Sequence, residues 1–320
     1  MQVWRPGASL LTLRRRADLY ARLRRFFASR DILEVDVPLI GAASVSDPHI
    51  ESITVGNVLS GAVDNEHYLQ TSPEYFMKRL LAAGSGAIYS LGKAFRQGEA
   101  GHRHNPEFTM LEWYRPGFDD HRLMDELESL LTELLTFSSV SRRSYRDLFV
   151  QHLGFDPHTA SMETLQQCAR QNIDLDWQDS DRDIWLDLLM THCIEPQLGQ
   201  GLVFIYDYPA SQAALAKVEI DETGTPVARR FEAYVNGMEL ANGYWELTDA
   251  EEQARRFECD LAVRGRMGLP VCPLDNKLMA ALQSGLPECA GVALGVDRLL
   301  MQMGAEEKIG DVITFPFDRL

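Results

Sequence analysis

Two groups of side chains in this sequence have the types and the spacing to do chemistry. The first lies on the alternating run Phe108-Thr-Met-Leu-Glu-Trp-Tyr114. A strand repeats every two residues, so Phe108, Met110, Glu112 and Tyr114 share one face while Thr109, Leu111 and Trp113 share the other. An ionised carboxylate is not buried without a partner. Glu112 beside apolar neighbours therefore leaves two readings: the face opens to solvent, or it walls a pocket whose acid and phenol meet a cationic ligand. The second group flanks Asn236-Gly237, a strong hairpin signal between strand-like runs. A two-residue turn there sets Tyr234 opposite Glu239 and Glu232 opposite Ala241. Glu232 and Glu239 then become diagonal neighbours on one face, about 7–8 Å apart at the backbone. Two carboxylates so placed repel unless a cation, or an Arg or Lys, lies between them. Hard oxygen ligands of this kind suit Mg2+ carried on a nucleotide phosphate. Glu246 adds another acid just downstream.

Other patterns are weaker. The stretch from Gly86 to Lys93 has five residues between its glycines where a phosphate loop needs four, and Ala94 stands where Ser or Thr would hold Mg2+. His102 and His104 have no third His or Cys at useful spacing and read as exposed residues of a polar loop. Five cysteines, odd in number and without a C-x-x-C pair, argue against a disulfide framework or structural zinc and fit a reducing cytosol.

The elements that must position these groups follow from periodicity. Leu13, Ala17, Tyr20, Arg24 and Phe27 fall at helical spacing and predict an amphipathic first helix. A short strand over 32–37 ends at Pro38, which cannot continue a central ladder. Strands are expected over 87–96 and 107–114 around a polar loop. A helix over 119–136 carries Leu123, Leu127, Leu130, Leu131 and Leu134 inward. Residues 138–200 read as helical, with the acid-rich 174–187 as a solvated surface. Strands follow over 202–206, 228–235 and 238–244. Thr248-Asp-Ala-Glu251 has capping-box spacing and opens a helix with Ala254, Phe257 and Leu261 inward. Residues 291–301 pass from a Gly-interrupted strand into a helix. Helices clustered between antiparallel strands give an α+β fold, an antiparallel sheet flanked by helices. No Pro- or Gly-rich linker divides the chain, so residues 1–320 read as one domain.

Composition bounds the function. The chain has 320 residues, 45% apolar and 24% charged, enough to bury a sizeable core. No run approaches the ~18 apolar residues of a membrane span. The net charge of −16 disfavours generic polyanion binding. It is uneven: residues 1–30 hold eight Arg and one acid, +7, against −23 for the rest. Intersubunit ion pairs or an acidic protein partner would each account for that basic helix.

Taken together these segments resemble the catalytic core of class II aminoacyl-tRNA synthetases, and within them lysyl-tRNA synthetase. Ile32-Leu-Glu-Val-Asp-Val-Pro38 is similar to motif 1, the dimer-interface strand, which implies a homodimer. Phe95-Arg96 and Arg103-His-Asn-Pro-Glu-Phe-Thr-Met-Leu-Glu-Trp-Tyr114 resemble motif 2, and Gly291-Val-Ala-Leu-Gly-Val-Asp-Arg298 resembles motif 3. Thr71-Ser-Pro-Glu74, Asp207-Tyr-Pro209 and Glu239-Leu-Ala-Asn-Gly-Tyr-Trp-Glu246 are similar to segments of the lysine-specific enzymes. The resemblance implies an ATP-dependent ligase using Mg2+. Arg96 and Arg298 would be catalytic, and Glu232 and Glu239 would hold the metal. Arg96, Gln97, Gly98, Asn105, Glu239, Leu240, Gly295 and Arg298 would bind ATP. Ser72, Pro73, Glu74, Glu112, Tyr114, Asn242, Glu246 and Ala293 would bind the amino acid.

Three departures from the family refine this. Only the first helix precedes motif 1, where lysyl-tRNA synthetases carry an anticodon-binding OB domain. The shortened form resembles lysyl-tRNA synthetase paralogues that activate (R)-β-lysine and modify a lysine of elongation factor P instead of tRNA. Ala293 replaces a motif 3 glycine, narrowing the pocket by one methyl against the α-amino group of lysine and toward an amine on the β-carbon. Arg96-Gln97-Gly98-Glu99 sets Gly98 where motif 2 has a Glu that reads adenine, leaving Glu99 or a backbone carbonyl to substitute. A compact synthetase charging tRNA with lysine, and a non-catalytic regulatory subunit, are the other readings these motifs admit.

Overall fold

The structure is a computed structural model that describes residues 4–56, 58, 66–174 and 181–320. Helix α1 (Leu10–Ala28) starts at Ser9, whose hydroxyl accepts the Thr12 N–H. Strands β1 (Leu33–Glu34), β2 (Ile40–Gly41), β3 (Thr54–Val55) and β4 (His67–Leu69) precede α2 (Glu74–Ala82). Next come β5 (Ile88–Phe95), β6 (Glu107–Pro116), α3 (Asp120–Leu134), β7 (Val140–Ser144), α4 (Tyr145–Leu153), α5 (Met162–Asn172) and α6 (Arg182–Leu189). The C-terminal part supplies β8 (Leu202–Pro209), β9 (Val218–Ile220), β10 (Pro226–Val235), β11 (Met238–Trp245), α7 (Ala250–Arg266), α8 (Asn276–Gly285), β12 (Cys289–Gly295) and α9 (Val296–Gly304).

The main sheet runs β1-β5-β6-β12-β11-β10-β8-β7, with β9 paired to β10, and β2-β4-β3 form a small second sheet. The central pairs are antiparallel, while β1 on β5 and β7 on β8 at the two edges are parallel. This is the α+β arrangement expected from the sequence.

Strand alternation sorts the sheet into two chemically different faces. Leu111, Trp113, Val292, Leu294, Phe231 and Phe204 point one way and pack under α1, α3 and α9. The opposite face is covered at one end by α2, α7 and α8 and at the other by α4, α5 and α6, whose apolar clusters reach it through Tyr114 and Tyr234 respectively. Between those two helical covers a cavity of about 680 Å³ opens over the middle strands.

Several boundaries differ from the sequence expectation, each for a physical reason. α1 buries Thr12, Leu19, Leu23, Phe26 and Phe27, so its inner stripe is rotated away from the exposed Ala17 and Arg24. β1 is two residues long because it pairs only along the β5 edge. α7 is capped by Asp249, which accepts the Glu251 and Glu252 N–H groups, while the Thr248 hydroxyl turns to Glu288. Its buried positions are Gln253, Phe257 and Arg264, with Ala254 and Leu261 half-buried. Within 138–200 the parallel strand β7 interrupts the helices. In the acid-rich stretch, residues 175–180 lie outside the described residues; beyond them Trp185 and Leu186 are buried, and Asp183 and Asp187 face the cavity.

The basic first helix finds much of its countercharge within the same chain. Arg15 pairs with Glu306 (3.0 Å), Arg16 with Asp297 (2.5 Å) and Arg24 with Glu34 (3.0 Å). The Asp297 carboxylate also accepts the Thr109 N–H (2.6 Å), so α1 braces the strand and helix on which the candidate site is built.

Candidate active site

The cavity floor is a set of cross-strand rows. In one row Glu112 of β6 pairs with Ala293 of β12, which pairs with Asn242 of β11, which pairs with Glu232 of β10. In the next, Tyr114, Gly291, Tyr244 and Arg230 follow the same order. The hairpin at Asn236-Gly237 sets Tyr234 against Glu239, as the turn predicts. Glu232 faces Asn242, not Ala241, because the register shifts between Ala233 and Tyr234 and leaves Leu240 as an extra residue. That bulge reverses the parity of β11, so Asn242 and Tyr244 share the cavity face with Glu239. Gly243 falls on the opposite face, where a Cβ would collide with the Phe231 ring.

One end of the cavity is acidic and deeply buried. Glu112 and Glu246 are 2% and 0% exposed, and Tyr114 donates to Glu112 Oε1 at 2.6 Å. Glu112 resolves the choice its strand left open: the face walls a pocket. Burial and the nearby charge of Glu74 push the Glu112 carboxyl well above its ordinary range. Burial, opposed by Lys78, pushes Glu246 up to about 7. Glu112 Oε2, Glu246 Oε1 and Asn242 Oδ1 are buried acceptors with no hydrogen-bond partner, which is a demand for donors. Gly291 keeps this space open: a Cβ there would lie 2.6 Å from Glu246 Oε1 and closer to the Tyr114 ring. Ser72 and Glu74 line the same end, and the Ser72 hydroxyl accepts the Glu74 N–H (3.3 Å); Pro73 is not in the wall.

The other end is basic. Arg96 lies at the cavity wall, its guanidinium 5.2 Å over the Phe108 ring and 3.5 Å from Glu99. Its Nε is a buried donor without a partner. Gln97 and Gly98 are not in the wall, whereas Glu99 is. Gly98 turns the chain in the left-handed region (φ 78°), which brings Glu99, one residue later, to the cavity. Arg298 donates to the Glu239 carbonyl (3.0 Å), the Glu239 carboxylate (3.3 Å) and His104 Nε2 (2.7 Å). His104 is an exposed loop residue, as expected, and through this bond it is also part of the wall. Burial and the Arg298 charge lower its pKa. Asn105 spends its amide on backbone, donating to the Glu107 carbonyl (2.6 Å) and accepting from Phe317 N–H (3.0 Å). Leu240 and Gly295 also line this end.

Glu232 and Glu239 form the candidate metal pair. Burial and the Glu232 charge raise the Glu239 carboxyl, the repulsion that a divalent cation relieves. Arg230 (2.5 Å) and the Tyr234 hydroxyl (2.7 Å) both donate to Glu232, which does not line the cavity wall. Arg230 is the basic partner the hairpin reading allowed. The carboxylate oxygens keep further lone pairs, and the hard-oxygen donor set fits Mg2+ delivered with phosphates.

The sequence reading missed Lys78, Arg230, Tyr244 and Arg264. Lys78 lies four residues after Glu74 on α2, a spacing visible in the sequence, but its complete burial is not. Arg264 is 1% exposed and bonds the Asp47 (2.9 Å) and Ile50 (3.2 Å) carbonyls, fixing a loop that roofs the cavity.

Comparison with known proteins gives a concordant result. The family model for class II tRNA synthetases (D, K and N) matches residues 2–319. A Yersinia enterocolitica protein named elongation factor P--(R)-beta-lysine ligase is 50% identical over 321 residues, covering 99% of this chain and 98% of that protein. Proteins of the same name from Yersinia pestis and Yersinia pseudotuberculosis are each 49% identical over 318 residues, covering 98% of this chain and 97% of theirs.

Proposed function

The chain belongs to the class II tRNA synthetase family, and on that premise we propose that it activates (R)-β-lysine with ATP and transfers it to a lysine side chain of elongation factor P. The observation that carries this reading is the set of unpaired buried acceptors on Glu112, Glu246 and Asn242, in one cavity with the unpaired Arg96 donor. Acceptors at one end call for ammonium groups. Arginines at the other call for phosphates.

In the first half-reaction the amino-acid carboxylate attacks the α-phosphorus of ATP. An O–P bond forms, the bond to pyrophosphate breaks, and an aminoacyl-adenylate results. Arg96 clamps the α-phosphate and neutralises charge developing on it, and Arg298 binds the nucleotide from the other side. Glu99 is the nearby carboxylate able to accept from the adenine amino group, supported by its place in the cavity wall. Glu239 and Glu232 would hold Mg2+, which supplies charge neutralisation on the phosphates. Glu74, Glu112, Glu246 and Tyr114 take the ammonium groups. The Ala293 methyl lies on the ladder between Glu112 and Asn242 and favours an amine moved to the β-carbon.

In the second half-reaction the uncharged ε-amine of an acceptor lysine attacks the adenylate carbonyl. The amide forms, AMP leaves with the C–O bond electrons, and the amine gives up one proton. We read the whole chain as one catalytic unit working in the cytoplasm as a homodimer. Support for the dimer comes from the edge position of β1 and the 58% exposure of Leu33. Among the described residues no helix is long and apolar enough to cross a membrane.

The test is pyrophosphate exchange with α-lysine and both β-lysine enantiomers, followed by transfer of labelled product to elongation factor P and to tRNA. The expected result is exchange strongest with (R)-β-lysine and label on the protein. Label on tRNA alone would replace this reading with a compact synthetase, and no exchange at all would leave a non-catalytic subunit.

A further inference from the structure

The amino-acid end contains a cation that the reaction above does not use. Lys78 is 2% exposed, and its Nζ lies 2.7 Å from Glu74 Oε1 and 2.7 Å from Glu246 Oε2. It sits between Met77 and Leu81 on the inner side of α2, where a packed helix ordinarily places another apolar residue. Taking an ammonium and two carboxylates out of water is costly, and a well-packed apolar replacement is often as stable. The triad is therefore better explained by what it does to the pocket than by stability.

Two consequences follow from the geometry. Each carboxylate spends one oxygen on Lys78, which fixes its rotamer and leaves the other oxygen outside the pair. For Glu246 that other oxygen, Oε1, is buried and unpartnered, next to the space Gly291 keeps clear. The second consequence is electrostatic: Lys78 opposes the burial that raises Glu246 and so favours the ionised carboxylate that an ammonium group needs. Three carboxyls against one resident cation leave acid groups to pair the two ammonium groups of a diamino acid.

We propose that Lys78 is a positioning residue that orients Glu74 and Glu246 and sets the pocket charge, so that diammonium amino acids are selected over those with one ammonium. The proposal rests on reading this end of the cavity as the amino-acid site. Burial alone lowers the Lys78 pKa, and the two flanking carboxylates more than reverse this, so the ammonium stays charged.

Lys78→Met keeps the stem and removes the charge, and Lys78→Arg keeps a charge. In pyrophosphate exchange, Lys78→Met is expected to raise KM for (R)-β-lysine by about thirtyfold or more while KM for ATP stays within about twofold. The preference for (R)-β-lysine over norleucine, which has one ammonium, should shrink with it. Lys78→Arg should hold KM for (R)-β-lysine within about tenfold of wild type. In Lys78→Ala, added propylammonium should restore part of the lost activity, a rescue that a packing role would not produce. An unchanged KM in Lys78→Met, parallel rises in both KM values, or equal losses in the Met and Arg variants would overturn the proposal. The two readings fail differently. Wild-type protein that binds ATP but no diamino acid would sink the pocket assignment and this inference with it; a selective wild type with an unaffected Lys78→Met sinks the inference alone.

Discussion

One guanidinium nitrogen of Arg298 lies 3.0 Å from the backbone carbonyl of Glu239 and 3.3 Å from its carboxylate, so the candidate nucleotide arginine and the candidate metal ligand hold each other. Their bond keeps Glu239 at the cavity while Glu232 is turned to Arg230 and Tyr234. Nucleotide phosphates would draw Arg298 away, and a divalent cation would take its place at the carboxylate. Glu239→Gln keeps the shape and removes the charge. It is expected to raise the Mg2+ concentration for half-maximal pyrophosphate exchange by at least about tenfold. An unchanged Mg2+ dependence would remove Glu239 from the metal site.

Arg96 has a guanidinium supported by Phe108 and a buried Nε without a partner. Arg96→Ala is expected to lower the activation rate on the order of 10²–10³, the typical effect of losing one charge-stabilising donor. Pyrophosphate exchange measures it directly. A near wild-type rate would show that the α-phosphate is held by something else.

Ala293 pairs with Glu112 on one side and Asn242 on the other. Removing its methyl should admit the α-amino group of lysine. Ala293→Gly is expected to shift the ratio of kcat/KM values for α-lysine over (R)-β-lysine upward by about 10–200-fold, the range of roughly 1–3 kcal/mol that one methyl-sized pocket change supplies. Glycine in a strand costs about 0.5–1 kcal/mol, so a small fall in Tm should accompany it. A ratio that does not move would place the selectivity elsewhere.

Glu246 has a carboxyl raised to about 7, chiefly by burial. The groups around it are Lys78 and Glu74 on α2, Glu112 and Tyr114 on β6, and Cys289 on β12. A raised carboxyl means that the folded protein binds more protons than the unfolded chain between the ordinary carboxyl range and about pH 7. Stability of the ligand-free protein should therefore fall as pH rises through that window. Ammonium binding needs the ionised form and reverses the preference. KM for the amino acid should rise as pH drops below about 7, approaching tenfold per pH unit for a single proton. A KM that stays flat from about pH 5.5 to 8.5 would show that Glu246 is ionised throughout.

Much of the site was legible because strand and turn rules act locally. The alternation of Phe108 to Tyr114 put Glu112 and Tyr114 on one face, and Asn236-Gly237 set Tyr234 against Glu239, without any knowledge of what lies above them. The resemblance to synthetase motifs named Arg96 and Arg298. What local rules leave out is instructive too. Asn105, which the resemblance assigns to the nucleotide, lines the cavity, and its side-chain oxygen accepts from Phe317 N–H, a partner distant in sequence. Arg15, Arg16 and Arg24 look like a basic surface, yet they are matched by acids of the same chain.

By itself the sequence determined the α+β class, the identity of the chemically competent strands and the residue types that face the cavity, because hydrophobic period and turn chemistry depend on near neighbours. Tertiary structure alone decided two things. The bulge at Leu240 changes the parity of β11, so Glu239 and Asn242, an odd number of residues apart, share one face; a bulge depends on the partner strand's register and has no local signature here. The folding of α2 over the end of β11 places Lys78 between Glu74 and Glu246, turning an ordinary i, i+4 pair into a buried triad. Burial and long-range pairing set the charge of this pocket, and neither can be read from spacing along the chain.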